Sequence, residues 1–243
     1  MLLNLKGRKY LLLWLCAALI ILNILVIQFT SMDTSRVIRL LSTFIFFAYF
    51  MNHQGFWKTS LFLAFVFFLF RDVFIIQYEA SLNKTASFIF TILSYGVLCL
   101  AIAPSLKLKK STPALIGIGL VLVLLNIFNV YYLSDIVMAQ LNNELQYNLF
   151  FIQGGMLLVL GIIGFLFNDL YEGNTSLYYL LMAFSFVLSD CFGLAAYYYG
   201  AEAAFFPERI FYLLALVLMV RFGLNTVEDK ALGKAMKEKE YLL

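Results

Sequence analysis

The stretch Thr59-Ser60-Leu61-Phe62-Leu63-Ala64-Phe65-Val66-Phe67-Phe68-Leu69-Phe70-Arg71-Asp72-Val73-Phe74-Ile75-Ile76 decides the class of this protein. It runs without a polar break long enough to form a loop, and its only charges are the adjacent Arg71 and Asp72. A helix needs about 17–25 mostly apolar residues to cross the hydrocarbon core of a bilayer. Working outward, apolar runs of that kind recur along the chain, at 10–28, 37–52, 59–78, 86–104, 113–133, 147–167, 176–199 and 207–224. The runs are continuous rather than alternating, which excludes a transmembrane β-barrel. The sequence therefore predicts an all-α polytopic integral membrane protein with eight transmembrane helices in a single domain, residues 1–227.

Composition agrees. Of the 243 residues, 63% are hydrophobic and only 13% are charged, and the mean hydropathy is +0.92. Soluble domains are about half apolar and a quarter charged, so the surplus apolar surface must face lipid. A soluble enzyme, a disordered chain and a disulfide scaffold are excluded. Cys16, Cys99 and Cys191 each fall inside an apolar run, are odd in number and lack metal-ligand spacing. They read as small buried hydrophobes.

The charges also give an orientation. With both termini cytoplasmic, the inner segments collect Lys6, Arg8, Lys9, Lys58, Lys107, Lys109, Lys110, Lys230, Lys234, Lys237 and Lys239, and the outer ones only Arg36, Arg39 and Lys84. That bias follows the positive-inside rule. The basic residues thus read as topology signals, and no nucleic-acid partner is expected. The first run resembles a signal peptide but lacks a small-residue cleavage site, so an uncleaved first span is expected. Pro104 and Pro113 bracket a basic turn, and Pro207 opens the eighth span. The segment 134–146, with Asp135, Asn142, Asn143 and Glu144, reads as a surface loop or a helical extension, and 228–243 as a charged, partly helical cytoplasmic tail.

Charges well inside a span are costly and mark functional hypotheses. Arg71 and Asp72 in the third span and Asp190 in the seventh are the only ones, and the two spans run in the same direction. Asp72 and Asp190 are expected at one depth, facing one cavity. Two carboxylates withdrawn from water resist being ionised together, which yields a proton donor beside a base. That arrangement suits hydrolysis through an oxocarbenium-like state. A structural ion-pair cluster and a proton or ion pathway also fit such a set. The shared Asp-x-Phe of the two spans, with Ala-Phe pairs nearby, fits either an internal duplication or chance in a Phe-rich chain.

Other polar groups are secondary. Asn126, Asn129 and Gln153 suit interhelical hydrogen bonds, whereas Ser94, Tyr95, Ser185, Ser189 and Tyr212 can line the same cavity. Glu208 and Arg209 read as an interfacial charge pair. Gly154, Gly155, Gly161 and Gly164 suggest a close-packing face on the sixth span. The aromatic runs 65–70 and 197–199 read as lipid-facing and interfacial, and His53 has no partner that makes it a base or ligand.

The chain resembles the YhhN-like family, the lysoplasmalogenases. The likeness spans about residues 58–224 and is carried by Leu69-Phe70-Arg71-Asp72-Val73, by Val187-Leu188-Ser189-Asp190, and by Arg209 followed by Tyr212. It departs from the family at Met51-Asn52-His53-Gln54, where a Lys-Pro is usual, at Ser94-Tyr95, where a His is common, and at Arg71, where a Gly is typical. The last span also lacks the family's Gln. The resemblance implies hydrolysis of the vinyl ether bond of a lysoplasmalogen-type lipid, giving a fatty aldehyde and a glycerophospho head group. Asp72 and Asp190 jointly would be the catalytic acid and base. Arg71, Ser189, Arg209 and Tyr212 would bind substrate, the arginines through phosphate. No metal or organic cofactor is required. The alternatives are a non-catalytic lipid-binding or structural protein of the same fold, and a small transporter that uses the Asp pair. Short loops and abundant Phe, Ile, Leu and Lys suit a bacterial inner membrane.

Overall fold

The computed structural model describes residues 2–54, 59–106, 117, 137–171 and 173–240, with side chains from residue 10 up to residue 225. Among these residues all regular structure is helical. The long helices are α1 (Leu2–Phe29), α2 (Met32–Gln54), α3 (Thr59–Ile76), α4 (Ser81–Ile102), α5 (Glu144–Leu170), α6 (Asn174–Tyr198) and α7 (Phe205–Glu240). All seven contain a segment long and apolar enough to cross a membrane. The expected fifth span at 113–133, with Asn126, Asn129 and the basic turn at Lys107, Lys109 and Lys110, lies outside the described residues, as do Lys58 and Asp135. Helices α5, α6 and α7 correspond to the sixth, seventh and eighth expected spans.

Local chemistry sets the helix ends. Asn143 caps α5, its side-chain oxygen accepting the Gln146 backbone N–H at 2.9 Å, which satisfies one orphan donor of the first turn. Gly173, at φ 139°, makes the turn between α5 and α6 that an L side chain resists. Pro104 sits in a short 3-10 turn at 103–105 that ends α4. Helix α2 starts at Met32, earlier than the expected 37, because the charges of Arg36 and Arg39 are answered across the bundle and not at a membrane surface. Helix α7 continues without a break into the charged tail as far as Glu240.

The helices close into a ring. In chain order α2 packs on α3, α3 on α4, α4 on α5, α5 on α6 and α6 on α7, while α7 returns to α2 and α1 lies against α7 and α2. At the centre Phe68 of α3 stacks on Phe186 of α6, with centroids 4.9 Å apart and rings 15° from parallel. Tyr95 of α4 and Tyr212 of α7 meet this pair from the sides. Each Phe stands four residues, about one turn, before an aspartate of its helix, so the stack puts Asp72 and Asp190 at one depth.

Burial corrects two expectations and tests a third in part. Phe65 and Phe68 are core residues and not lipid-facing ones. The outward faces instead carry Trp14, Phe29 and Leu100, as expected where lipid replaces water. Cys16 and Cys99 are buried but Cys191 is exposed. Of the four α5 glycines, only Gly164 approaches another described helix closely. A Cβ there would lie 3.3 Å from Ala183 Cβ, whereas at Gly154, Gly155 and Gly161 it would meet no described atom within 4 Å. Gly164→Leu should therefore push α5 from α6 and cost about 1–3 kcal/mol, the range for overpacking. A lowered unfolding temperature of the detergent-purified protein is the expected readout.

Candidate functional site

The site lies at the end of the ring where α2 begins and α6 ends. Arg39 projects from α2, Arg71 and Asp72 from α3, and Glu208 and Arg209 from α7. All five are buried. Arg71 folds back on its chain neighbour, Nε and Nη2 both reaching Asp72 Oδ1 at 3.1 and 2.8 Å. Arg39 Nε lies 3.2 Å from the same oxygen, and Arg39 Nη1 donates to Glu208 Oε1 at 2.8 Å. Glu208 Oε2 then faces Arg209 Nε at 3.4 Å, and Arg209 ends the run on the Ser35 carbonyl and hydroxyl. The five charges alternate in sign from Arg71 to Arg209, with one positive charge in excess.

Asp72 is the hub. Its second oxygen accepts the Thr43 hydroxyl at 2.6 Å and the Tyr212 hydroxyl at 2.8 Å. The Tyr212 ring also receives both guanidiniums, Arg39 Cζ at 4.3 Å and Arg71 Cζ at 4.5 Å from its centroid, where the ring quadrupole attracts a cation.

Asp190 is held differently. Tyr95 and Gln153 both donate to its Oδ2, at 2.9 and 3.0 Å. No described residue donates to its Oδ1. The two carboxylates thus share a depth but occupy separate hydrogen-bond networks, one cationic and one neutral.

Between the networks lies a cavity of about 430 Å³. Its polar wall includes Arg39, Arg71, Gln153, Ser189, Asp190 and Glu208, and Tyr78, Tyr197, Tyr198 and Tyr199 also line it. Asp190 sits eight residues before the end of α6, about 12 Å in from the helix terminus at 1.5 Å per residue.

Of the residues singled out in the sequence, Arg71, Ser189 and Asp190 line this cavity, whereas Asp72, Arg209 and Tyr212 stand behind its wall. Asp72 and Tyr212 reach it only through the arginines they hold, and Arg209 through Glu208. Arg39 and Glu208 were readable only as a topology signal and an interfacial pair. Both are cavity residues, and their mutual ion pair joins helices 169 positions apart in sequence. The tyrosine run 197–199, expected at the interface, also lines the cavity. Gln153 bonds between helices as its type suggested, and its acceptor is the aspartate. His53 stays outside the site, stacked on Tyr49 with its Nδ1 at the Tyr49 carbonyl.

At the mouth, Arg36 clamps the α3–α4 turn. It donates to both oxygens of Glu79, at 3.0 and 2.7 Å, and to the Ile76 carbonyl, next to cavity-lining Tyr78. The hydrogen bonds from Arg36 hold the Glu79 carboxyl below the usual glutamate range.

With this geometry in hand, comparison with known proteins returns no match among family models, curated proteins or solved structures.

Two outcomes are expected. Asp72→Asn removes the shared counter-ion of two buried arginines and should cost about 3–5 kcal/mol, the range for orphaning a buried charge. Asp190→Asn leaves no guanidinium orphaned and should cost only about 1 kcal/mol, the scale of one hydrogen bond. Chemical unfolding of the two variants in detergent measures the difference. Since the Glu79 carboxyl is depressed when folded, the Arg36 clamp contributes above the ordinary glutamate range and is lost as pH falls through the lowered value. Amide exchange across residues 77–80 should accelerate there, and Glu79→Gln should show the faster exchange at neutral pH.

Proposed function

We propose that this chain is a membrane-embedded hydrolase of the YhhN-like type, cleaving the vinyl ether bond of a lysoplasmalogen-type lipid. One observation carries the reading. Asp190, on the wall of a cavity in the helix ring, keeps one carboxylate oxygen to which no described residue donates. A general acid must reach its substrate atom, and this oxygen can.

The chemistry needs little else. The protonated Asp190 gives its proton to the β-carbon of the enol ether, and the double-bond electrons form that C–H bond. The ether oxygen stabilises the resulting oxocarbenium ion. Water adds to it and returns its proton to the Asp190 carboxylate, and the hemiacetal collapses to aldehyde and alcohol. The sum is ether plus water to aldehyde plus glycerophospho alcohol. Tyr95 and Gln153 orient Asp190 by bonding its other oxygen. Asp72 contributes from behind the wall as the anchor of Arg39 and Arg71, and is in this reading a positioning residue. No metal or organic cofactor is called for.

The finer topology belongs to the same proposal. Eight spans, the described seven together with 113–133, put both termini on the cytoplasmic side of a bacterial inner membrane, and the cavity opens outward.

A second reading is a lipid-binding protein of the same architecture without turnover. It is favoured by Arg71, a bulky cation where the family carries a glycine. Aldehyde release from choline or ethanolamine lysoplasmalogen by the purified protein separates the two. The hydrolase reading expects release by wild type and at least about a hundredfold less by folded Asp190→Asn, the scale of a lost general acid. A folded wild type that releases none overturns it in favour of binding alone.

A further inference from the structure

We infer that Arg39 and Arg71 form a two-guanidinium clamp for a phosphoryl group, with Ser189 as a third donor. The inference deepens the hydrolase reading, and rests on the same cavity, by naming what holds the charged end of the substrate. Arg39 is the new member, since its place near the start of α2 marks it in the sequence only as a charge at a membrane boundary.

Three observations carry it. First, both guanidiniums are more than nine-tenths buried yet line the cavity, and each keeps an uncommitted end. Arg39 Nη1 donates to Glu208 and its Nε lies 3.2 Å from Asp72 Oδ1 as an ion pair without a hydrogen bond, and Arg71 spends Nε and Nη2 on Asp72. Arg39 Nη2 and Arg71 Nη1 bond no described residue, and neither does the Ser189 hydroxyl. Buried donors without partners are costly, so donors left open on a cavity mark the place of an acceptor.

Second, the clamp is preorganised. One carboxylate, Asp72, touches both guanidiniums, and one ring, Tyr212, lies beneath both. Two forked donors fixed on separate helices suit an anion that offers several oxygens in different directions. A phosphoryl group does so.

Third, the charges favour an anion. The run from Arg71 to Arg209 has one positive charge in excess, and two of its three guanidiniums line the cavity. Asp190 and Glu208 are the carboxylates in the same wall, but Asp190 takes its bonds from Tyr95 and Gln153, and Glu208 is engaged by Arg39 and Arg209. Neither uses the open N–H groups.

The phosphoryl group can come from a lipid head group or from free phosphate, and the test separates them. Equilibrium binding is measured on the full-length protein in detergent with three probes. These are inorganic phosphate, an ester lysophosphatidylcholine that has no vinyl ether bond to cleave, and a monoacylglycerol that lacks phosphate. Arg39→Lys and Arg71→Lys keep the charge that Asp72 and Glu208 require but lose the forked donors. Each should weaken phosphoryl binding by about tenfold or more while the protein elutes and melts as folded. Weakening for the lysophospholipid alone supports the clamp with a lipid head group as its ligand. Weakening for inorganic phosphate as well, or alone, supports it with the free anion as ligand. Equal binding of monoacylglycerol and lysophospholipid together with inorganic phosphate binding unchanged in the Lys variants overturns it, as does binding of both phosphoryl probes unchanged in both folded Lys variants, or no binding of either by wild type. None of these probes is turned over, so binding is read without ether cleavage. The clamp therefore survives if the protein releases no aldehyde, and the hydrolase reading survives if the clamp fails.

Discussion

Two buried arginines on different helices lean on a single carboxylate, and the rest of the site depends on that. Arg39 and Arg71 both meet Asp72 Oδ1, while Thr43 and Tyr212 fill the other oxygen. Withdrawing such charges from water is expensive, and the mutual attraction of a buried pair rarely returns more than it costs. The ion-pair run is therefore a poor source of net stability. What it supplies is registry. α2, α3 and α7 can pack in only one relation that leaves none of these charges alone, and the cavity wall is the face of that arrangement.

The two aspartates illustrate how environment divides roles between similar groups. They stand at one depth, one turn beyond a stacked Phe68 and Phe186, and each accepts a tyrosine hydroxyl from a helix across the ring. Asp72 adds two guanidiniums and loses all access to the cavity. Asp190 adds only the Gln153 amide and keeps an oxygen in the open. A carboxylate surrounded by cations serves as a fixed counter-ion. One with neutral donors and a free oxygen is placed for exchange with a ligand or a proton. Duplicated geometry with divergent partners suits a ring in which one half holds and the other half acts.

The tyrosines contribute at both levels. Tyr95 and Tyr212 pack their rings on the central phenylalanines and spend their hydroxyls on the aspartates, so the apolar core and the polar site are fixed by the same side chains. At the mouth, Tyr78 is presented by the short α3–α4 turn that Arg36 clamps through Glu79. The floor of the cavity is thus set by core packing, and its rim by an ion pair at the edge of the apolar region.

The sequence by itself determined the class and the depth of the chemistry. Long uninterrupted apolar runs have no stable solution except helices in a bilayer, and a charge in such a run is conspicuous because it is costly. Asp72, Asp190 and Arg71 were legible for that reason, and their equal distance along parallel helices was enough to put them at one level. What the tertiary structure decided was which charge faces what. Arg39 and Glu208 sit close to helix ends, where a charge is unremarkable, and nothing local says that they turn inward to find each other from helices far apart in the chain. The phenylalanines at 65 and 68 differ from lipid-facing ones only in the neighbour they meet, since hydrocarbon outside and protein inside present the same apolar environment. Of four glycines with the same apparent purpose, Gly164 alone meets a facing described helix. Periodicity and hydropathy fix what enters a membrane. The facing of each side chain is settled by helices that meet only once the ring has closed.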